Sequence, residues 1–110
     1  MVSDQAMNYK LVTYVPVTHA ENVRQAIGEA GAGKIGNYTF CSFSVRGTGR
    51  FQPEEGAHPA IGVVGKLKSV EEERIEVIVL DHHIQNVIAA LKKAHPYEEV
   101  AYEVYKLEDF

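Results

Sequence analysis

The chain has 110 residues, 45% of them hydrophobic and 24% charged, which is the size and make-up of one ordinary globular domain and leaves no room for a second. Eleven basic residues lie dispersed under a net charge of −4, which disfavours nucleic-acid binding because that needs concentrated cations. The longest apolar runs fall far short of a membrane span, and Met1 to Asn8 lack the apolar core of a signal peptide, so a cytoplasmic location is expected.

The single cysteine, Cys41, has no internal disulfide partner and no CxxC pair exists, in keeping with a reducing compartment. The expected organisation is an N-terminal extension over residues 1–8 and a single domain over 9–110. In that domain Tyr9 to Val15 alternates as a strand, with Tyr9, Leu11, Thr13 and Val15 on one face, and Pro16 ends it. Thr18 and Glu21 have the spacing of a capping box. Val23, Ala26, Ile27 and Ala30 then form a helical stripe, which Gly31 and Gly33 stop. Tyr38 to Val45 is expected as the next strand, with Cys41 buried in it beside Phe40 and Phe43.

The second half repeats this order. Arg74 to Leu80 alternates, Asp81 is placed as an N-cap, and Ile84, Val87, Ile88 and Leu91 form a stripe that His95-Pro96 closes. Ala101 to Leu107 supplies the last strand. The halves match at an offset of 64 residues: Val15 with Val79, Val23 with Val87, Ile27 with Leu91. Two such strand–helix units, each followed by a strand, predict an α+β, ferredoxin-like βαββαβ sandwich with both helices on one face of an antiparallel sheet. Between the central strands, Arg46 to Glu73 reads as a long glycine-rich excursion, in which Ile61 to Leu67 is expected to pair with Gly49 to Gln52. Its apolar residues Phe51, Ile61, Val63 and Val64 are expected at a subunit interface.

Three constellations bear on chemistry. Backbone amides at Gly47 and Gly49, with Arg46 and Arg50, form a candidate anion or small-ligand site. His95 and Glu98, with His58, are candidate ligands for a divalent metal; alternatively His95 caps the helix end while the glutamates face solvent. Glu98 and Glu99 are adjacent, and on a strand they point to opposite faces, which argues against a shared acid/base role. No nucleophile–base–orienter set can be assembled, so no catalytic residue is assigned.

The run GAGKIGNYTFCSFSVRGTGRF (Gly31 to Phe51), Pro53, Gly56-Ala57, Pro59, Ile61-Gly62, Gly65, Glu73 to Glu76 and HPYEEVAYEVYKL (His95 to Leu107) resemble one known module. It is the domain inserted in bacterial NGG-interacting-factor-like (YqfO-type) proteins, itself similar in fold to CutA and the PII signalling proteins. The resemblance covers Tyr9 to Leu107 and implies a free-standing version of the insert, without the flanking domains that carry the relatives' dinuclear metal centre. It implies a trimer that binds a small ligand or a partner protein at subunit clefts; the alternative, from the residues themselves, is divalent-metal binding by His95, Glu98 and His58, and no enzymatic activity is expected.

Overall fold

Alternating side chains set the first element of the computed structural model, which describes residues 7–110. Strand β1 (Asn8–Pro16) buries Leu11, Thr13 and Val15 completely, so one of its faces belongs to the core. It takes in Asn8, one residue before the expected boundary, and most of the expected extension lies outside the described residues.

Helix α1 (Val17–Glu29) follows with no intervening loop, because Pro16 itself is the N-cap, at φ −51° and ψ 139°. Thr18 therefore lies inside the helix, where an N-cap's extended backbone is not available, and the expected capping box does not form. Its hydroxyl instead meets His19 Nδ1 at 2.9 Å. Ala20, Val23 and Ile27 are the residues that α1 buries.

The chain leaves α1 through Gly31 (φ 114°) and Gly33 (φ 84°). Gly33 donates to the Ile78 carbonyl at 2.7 Å and accepts from the Cys41 amide at 2.9 Å, which pins this loop to the sheet. A Cβ at Gly33 would collide with the Cys41 backbone. Two expectations fail here. Phe40 adopts a left-handed conformation (φ 60°) with its ring over Gly28, which no strand can accommodate. The strand accordingly starts at Phe43 rather than Tyr38, and Cys41 is a half-buried free thiol in the loop before it.

Strand β2 (Phe43–Phe51) and strand β3 (Lys68–Leu80) form a long hairpin that claims both ends of the expected excursion. Arg46 pairs with Glu73, Gly49 with Val70 and Phe51 with Lys68. Gly49 to Phe51 thus finds its partner in β3, Gln52 lies beyond the ladder, and Ile61 to Leu67 forms no strand. Only residues 52–67 remain as a connection, folded on itself by bonds such as Gly65 N–H to Pro53 O at 2.8 Å.

After a single 3-10 turn (Asp81–His83), helix α2 (Ile84–Ala94) buries Val87 and Leu91. Asp81 does not cap it: its carboxylate accepts the Tyr9 hydroxyl at 2.9 Å. His95, in extended conformation before Pro96, ends the helix as expected. Strand β4 (Tyr102–Leu107) completes a four-stranded antiparallel sheet of order β2-β3-β1-β4. Both helices pack on one face, so the fold is an α+β, ferredoxin-like sandwich. The matched residues of the two halves take equivalent places: Val15 and Val79, Val23 and Val87, Ile27 and Leu91 are all essentially inaccessible.

β1 reaches only as far as Glu72 along β3, so Lys68–Glu71 has β2 as its sole strand neighbour. The hairpin projects past the sheet as a two-stranded arm. The molecule measures 54 × 23 × 22 Å with a radius of gyration of 15.5 Å. A compact domain of this length has about 13 Å.

The two loop glycines separate conformation from space. Gly36 has φ 57° with nothing near its missing Cβ, so Gly36→Ala should cost about 1–2 kcal/mol for the left-handed backbone alone. Gly33→Ala meets the Cys41 backbone as well and should lose about 1–3 kcal/mol more through overpacking. Urea unfolding at fixed protein concentration checks the difference.

Candidate functional site

A cavity of about 460 Å³ lies where the arm meets the loop between α2 and β4. By strand parity, Tyr14, Glu72, Gly49 and Phe51 share the face turned away from the helices. They form one wall, and Tyr97, Glu98, Glu99 and Ala101 of the α2–β4 loop form another. Pro53, Pro59 and Ile61, from the connection at the end of the arm, complete the lining.

Each wall is fixed to the other by a specific contact. The Tyr97 hydroxyl donates to Glu72 Oε2 at 3.0 Å, and its ring stands edge-on to Phe51 with centroids 5.6 Å apart. The His58 backbone amide donates to Glu98 Oε2 at 2.9 Å. The Glu72 carboxylate lies in the space that a Cβ at Gly49 would take, so a larger residue there would displace it from Tyr97. Burial and the neighbouring Glu72 carboxylate push the Tyr97 phenol well above its usual range, so it remains a neutral donor.

Behind the cavity, His95 is buried with both ring nitrogens engaged. Nδ1 accepts the Tyr97 amide at 3.1 Å, which leaves Nε2 to donate to the Tyr14 carbonyl at 2.7 Å. This arrangement fixes the neutral tautomer. Burial lowers the pKa of His95, outweighing the opposing pull of the Tyr14 hydrogen bond and Glu72; His19 lowers it further. The charged helix-capping form considered for this residue is therefore not the form the fold selects.

The candidate residues separate accordingly. His58 and Glu98 come together, but through the His58 backbone, and the His95 ring is directed at Tyr14 and Tyr97. Among the described residues, no group of three His, Cys, Asp or Glu side chains is arranged to hold a metal ion. Gly49 and Arg50 line the cavity, whereas Arg46 and Gly47 lie nearer the sheet and outside it. Phe51 and Ile61 also line it and are half-buried, while Val63 and Val64 are exposed by 60% and 45%. Glu98 and Glu99 precede β4 rather than lying in it, so strand alternation does not separate them and both line the same cavity. Sequence reasoning missed Tyr14, Glu72 and Tyr97. The usable signal was the aromatic immediately after His95-Pro96, which the turn directs back toward the sheet.

A smaller cleft of about 270 Å³ opens between α1 and the loop carrying Phe40 and Cys41. Its cation, Arg24, is already held by Glu73, by Glu21 at 2.9 Å and by the Ser44 hydroxyl at 3.1 Å.

No protein-family model matches the chain. The chain is 56% identical over 99 residues to a GTP cyclohydrolase 1 type 2 homolog of Halalkalibacterium halodurans, covering 90% of this chain and 27% of that protein. A Bacillus cereus protein related to NIF3 superposes with a TM-score of 0.82 at 53% identity, over 94% of this chain and 26% of that one. The chain thus spans about a quarter of the length of these relatives. The periplasmic divalent cation tolerance protein CutA of Archaeoglobus fulgidus gives a TM-score of 0.69 at 17% identity, with 94% and 87% covered. GlnK of Bacillus subtilis gives 0.61 at 13% identity, with 92% and 82% covered. These last two establish the fold alone, as CutA/PII-like.

Because His95 is held neutral, its contribution to stability has a definite sign. Its folded pKa lies below the unfolded value near 6.5, so the contribution is full above about pH 6.5. As pH falls below that value the unfolded chain takes up the proton first, and stability declines until the folded pKa is passed. Thermal melts between pH 7.5 and 5 should show a shallower decline in His95→Asn than in the wild type. Equal slopes would mean that His95 is not held neutral.

Proposed function

For a chain that corresponds to the CutA/PII-like segment of the GTP cyclohydrolase 1 type 2 homologs, we propose a non-catalytic binding and assembly module: a cytoplasmic homotrimer that holds a small ligand or a partner protein in the cleft between the arm and the α2–β4 loop. The observation that carries this reading is the cleft itself. Its volume falls within the range of small-molecule sites, its lining is mainly apolar, and both walls are held by named contacts. Glu72, Glu98 and Glu99 belong to this reading as binding groups, with no nucleophile assigned beside them.

Surface chemistry supports assembly. β2 and β4 are edge strands, each with a neighbouring strand on one side alone among the described residues. Phe43 and Val45 are exposed by 64% and 48% on the helix-free face, and Leu67 by 68% at the arm. Covering these groups with further copies removes apolar area from water at about 25 cal/mol per Å². Three copies is the number suggested by the resemblance to CutA and PII. No helix among the described residues is long and apolar enough to cross a membrane. Cytoplasmic placement is supported by the free thiol of Cys41.

A divalent-cation role is a second reading that rests on the residue types His58, His95 and Glu98 rather than on their placement, because Glu98 meets the His58 backbone amide and not its ring. It requires His95 to release Tyr14 or Tyr97 before a ring nitrogen can ligate. Zinc calorimetry on wild type and His95→Ala should then give a weaker affinity in the variant, and equal affinities would remove His95 from the site.

Light scattering at micromolar concentration should give three times the chain mass. Val63→Asp with Leu67→Asp should lower that mass while the far-ultraviolet circular dichroism is preserved, since both side chains are exposed. A monomer at all concentrations would contradict the assembly.

A further inference from the structure

The charge around the arm cleft is not balanced. Three carboxylates line it, from Glu72, Glu98 and Glu99, against one guanidinium, from Arg50. Glu72 and Glu98 each accept a hydrogen bond from a neutral donor, the Tyr97 hydroxyl and the His58 amide, which brings no positive charge to either. Among the described residues none of the three takes part in an ion pair, whereas other carboxylates of the sheet do, including Glu73 with Arg24 and Glu76 with Lys10.

Aromatic rings complete the pattern. Tyr14, Phe51 and Tyr97 line the same space, and their faces carry the negative potential that attracts an organic cation. An apolar, aromatic interior with an acidic surround complements a molecule that has an apolar body and one positive head. It opposes an anion, because three carboxylates line the space against one guanidinium.

We propose that the cleft between the arm and the α2–β4 loop takes a small organic cation, an amine or amidine on an apolar or aromatic body, with Glu98 and Glu99 meeting the charge and Phe51 and Tyr97 the body. The cavity of about 460 Å³ suits a small molecule rather than a folded partner. This rests on the reading of the cleft as a binding site and specifies its ligand class.

Three probes of matched body separate the possibilities: 2-phenylethylamine, 2-phenylethanol and 3-phenylpropanoate, each titrated into the full chain and followed by NMR. The amine should shift the resonances of Phe51 and Tyr97 and bind at least ten-fold more tightly than the alcohol, with no saturable binding of the acid. Glu98→Gln with Glu99→Gln should weaken the amine at least ten-fold without weakening the alcohol. Both residues are exposed, so the double variant should keep its fold, as circular dichroism can verify. Arg50→Ala should tighten the amine. If the acid binds best and loses affinity in Arg50→Ala, the cation assignment is overturned while the cleft remains a binding site. If none of the three shifts the Phe51 or Tyr97 resonances, the cleft itself is overturned as a small-ligand site. Neither outcome bears on assembly, which the mass measurement decides separately.

Discussion

The unequal length of two paired strands governs this molecule. β3 has 13 residues and β1 has 9, and β1 stops at Pro16, which cannot extend the ladder and starts α1 instead. The first residues of β3 are left with β2 alone. A two-stranded ribbon is marginal in water unless something packs against it. Here the α2–β4 loop does so, through the Tyr97 hydroxyl on Glu72 and the Tyr97 ring against Phe51. The cleft is the space left where an overhanging hairpin leans on a short loop.

That support is itself anchored in the core. His95 ends α2, gives one ring nitrogen to the Tyr14 carbonyl of β1 and uses the other to receive the Tyr97 amide. Thr13 contributes at the far end of the same loop, its buried hydroxyl donating to the Ala101 carbonyl at 2.9 Å. The loop is thus fastened to β1 at both ends, and the residues between, including Glu98 and Glu99, are presented to the cleft. Buried polar groups of this kind fix a geometry because leaving either partner unpaired is costly.

Much of this was legible in the sequence, and the failures have identifiable causes. The offset of 64 residues located two units whose matched side chains occupy matching core positions, because hydrophobic period alone decides which side chains face inward. The arm was missed because Gly47 and Gly49 look like turn residues, whereas they lie in the ladder and Gly49 makes room for Glu72. The strand expected at Tyr38 failed because Phe40 takes a left-handed conformation that its side chain gives no reason to expect. Of the candidate ligand residues, Gly49, Arg50 and Glu98 line the cleft, but three further members of its aromatic and acidic lining, Tyr14, Glu72 and Tyr97, come from positions far apart in the chain. Only the register of the sheet and the turn after His95 bring those three together.

The central claim is that the arm is seated on the α2–β4 loop and so encloses a cleft. Nuclear Overhauser contacts between the rings of Phe51 and Tyr97 measure this directly, since the centroids lie 5.6 Å apart. The account predicts cross-peaks between the two rings alongside those expected between β1 and β3. Intact β1–β3 contacts with no Phe51–Tyr97 cross-peaks would show a folded sheet with a detached arm, and would contradict it.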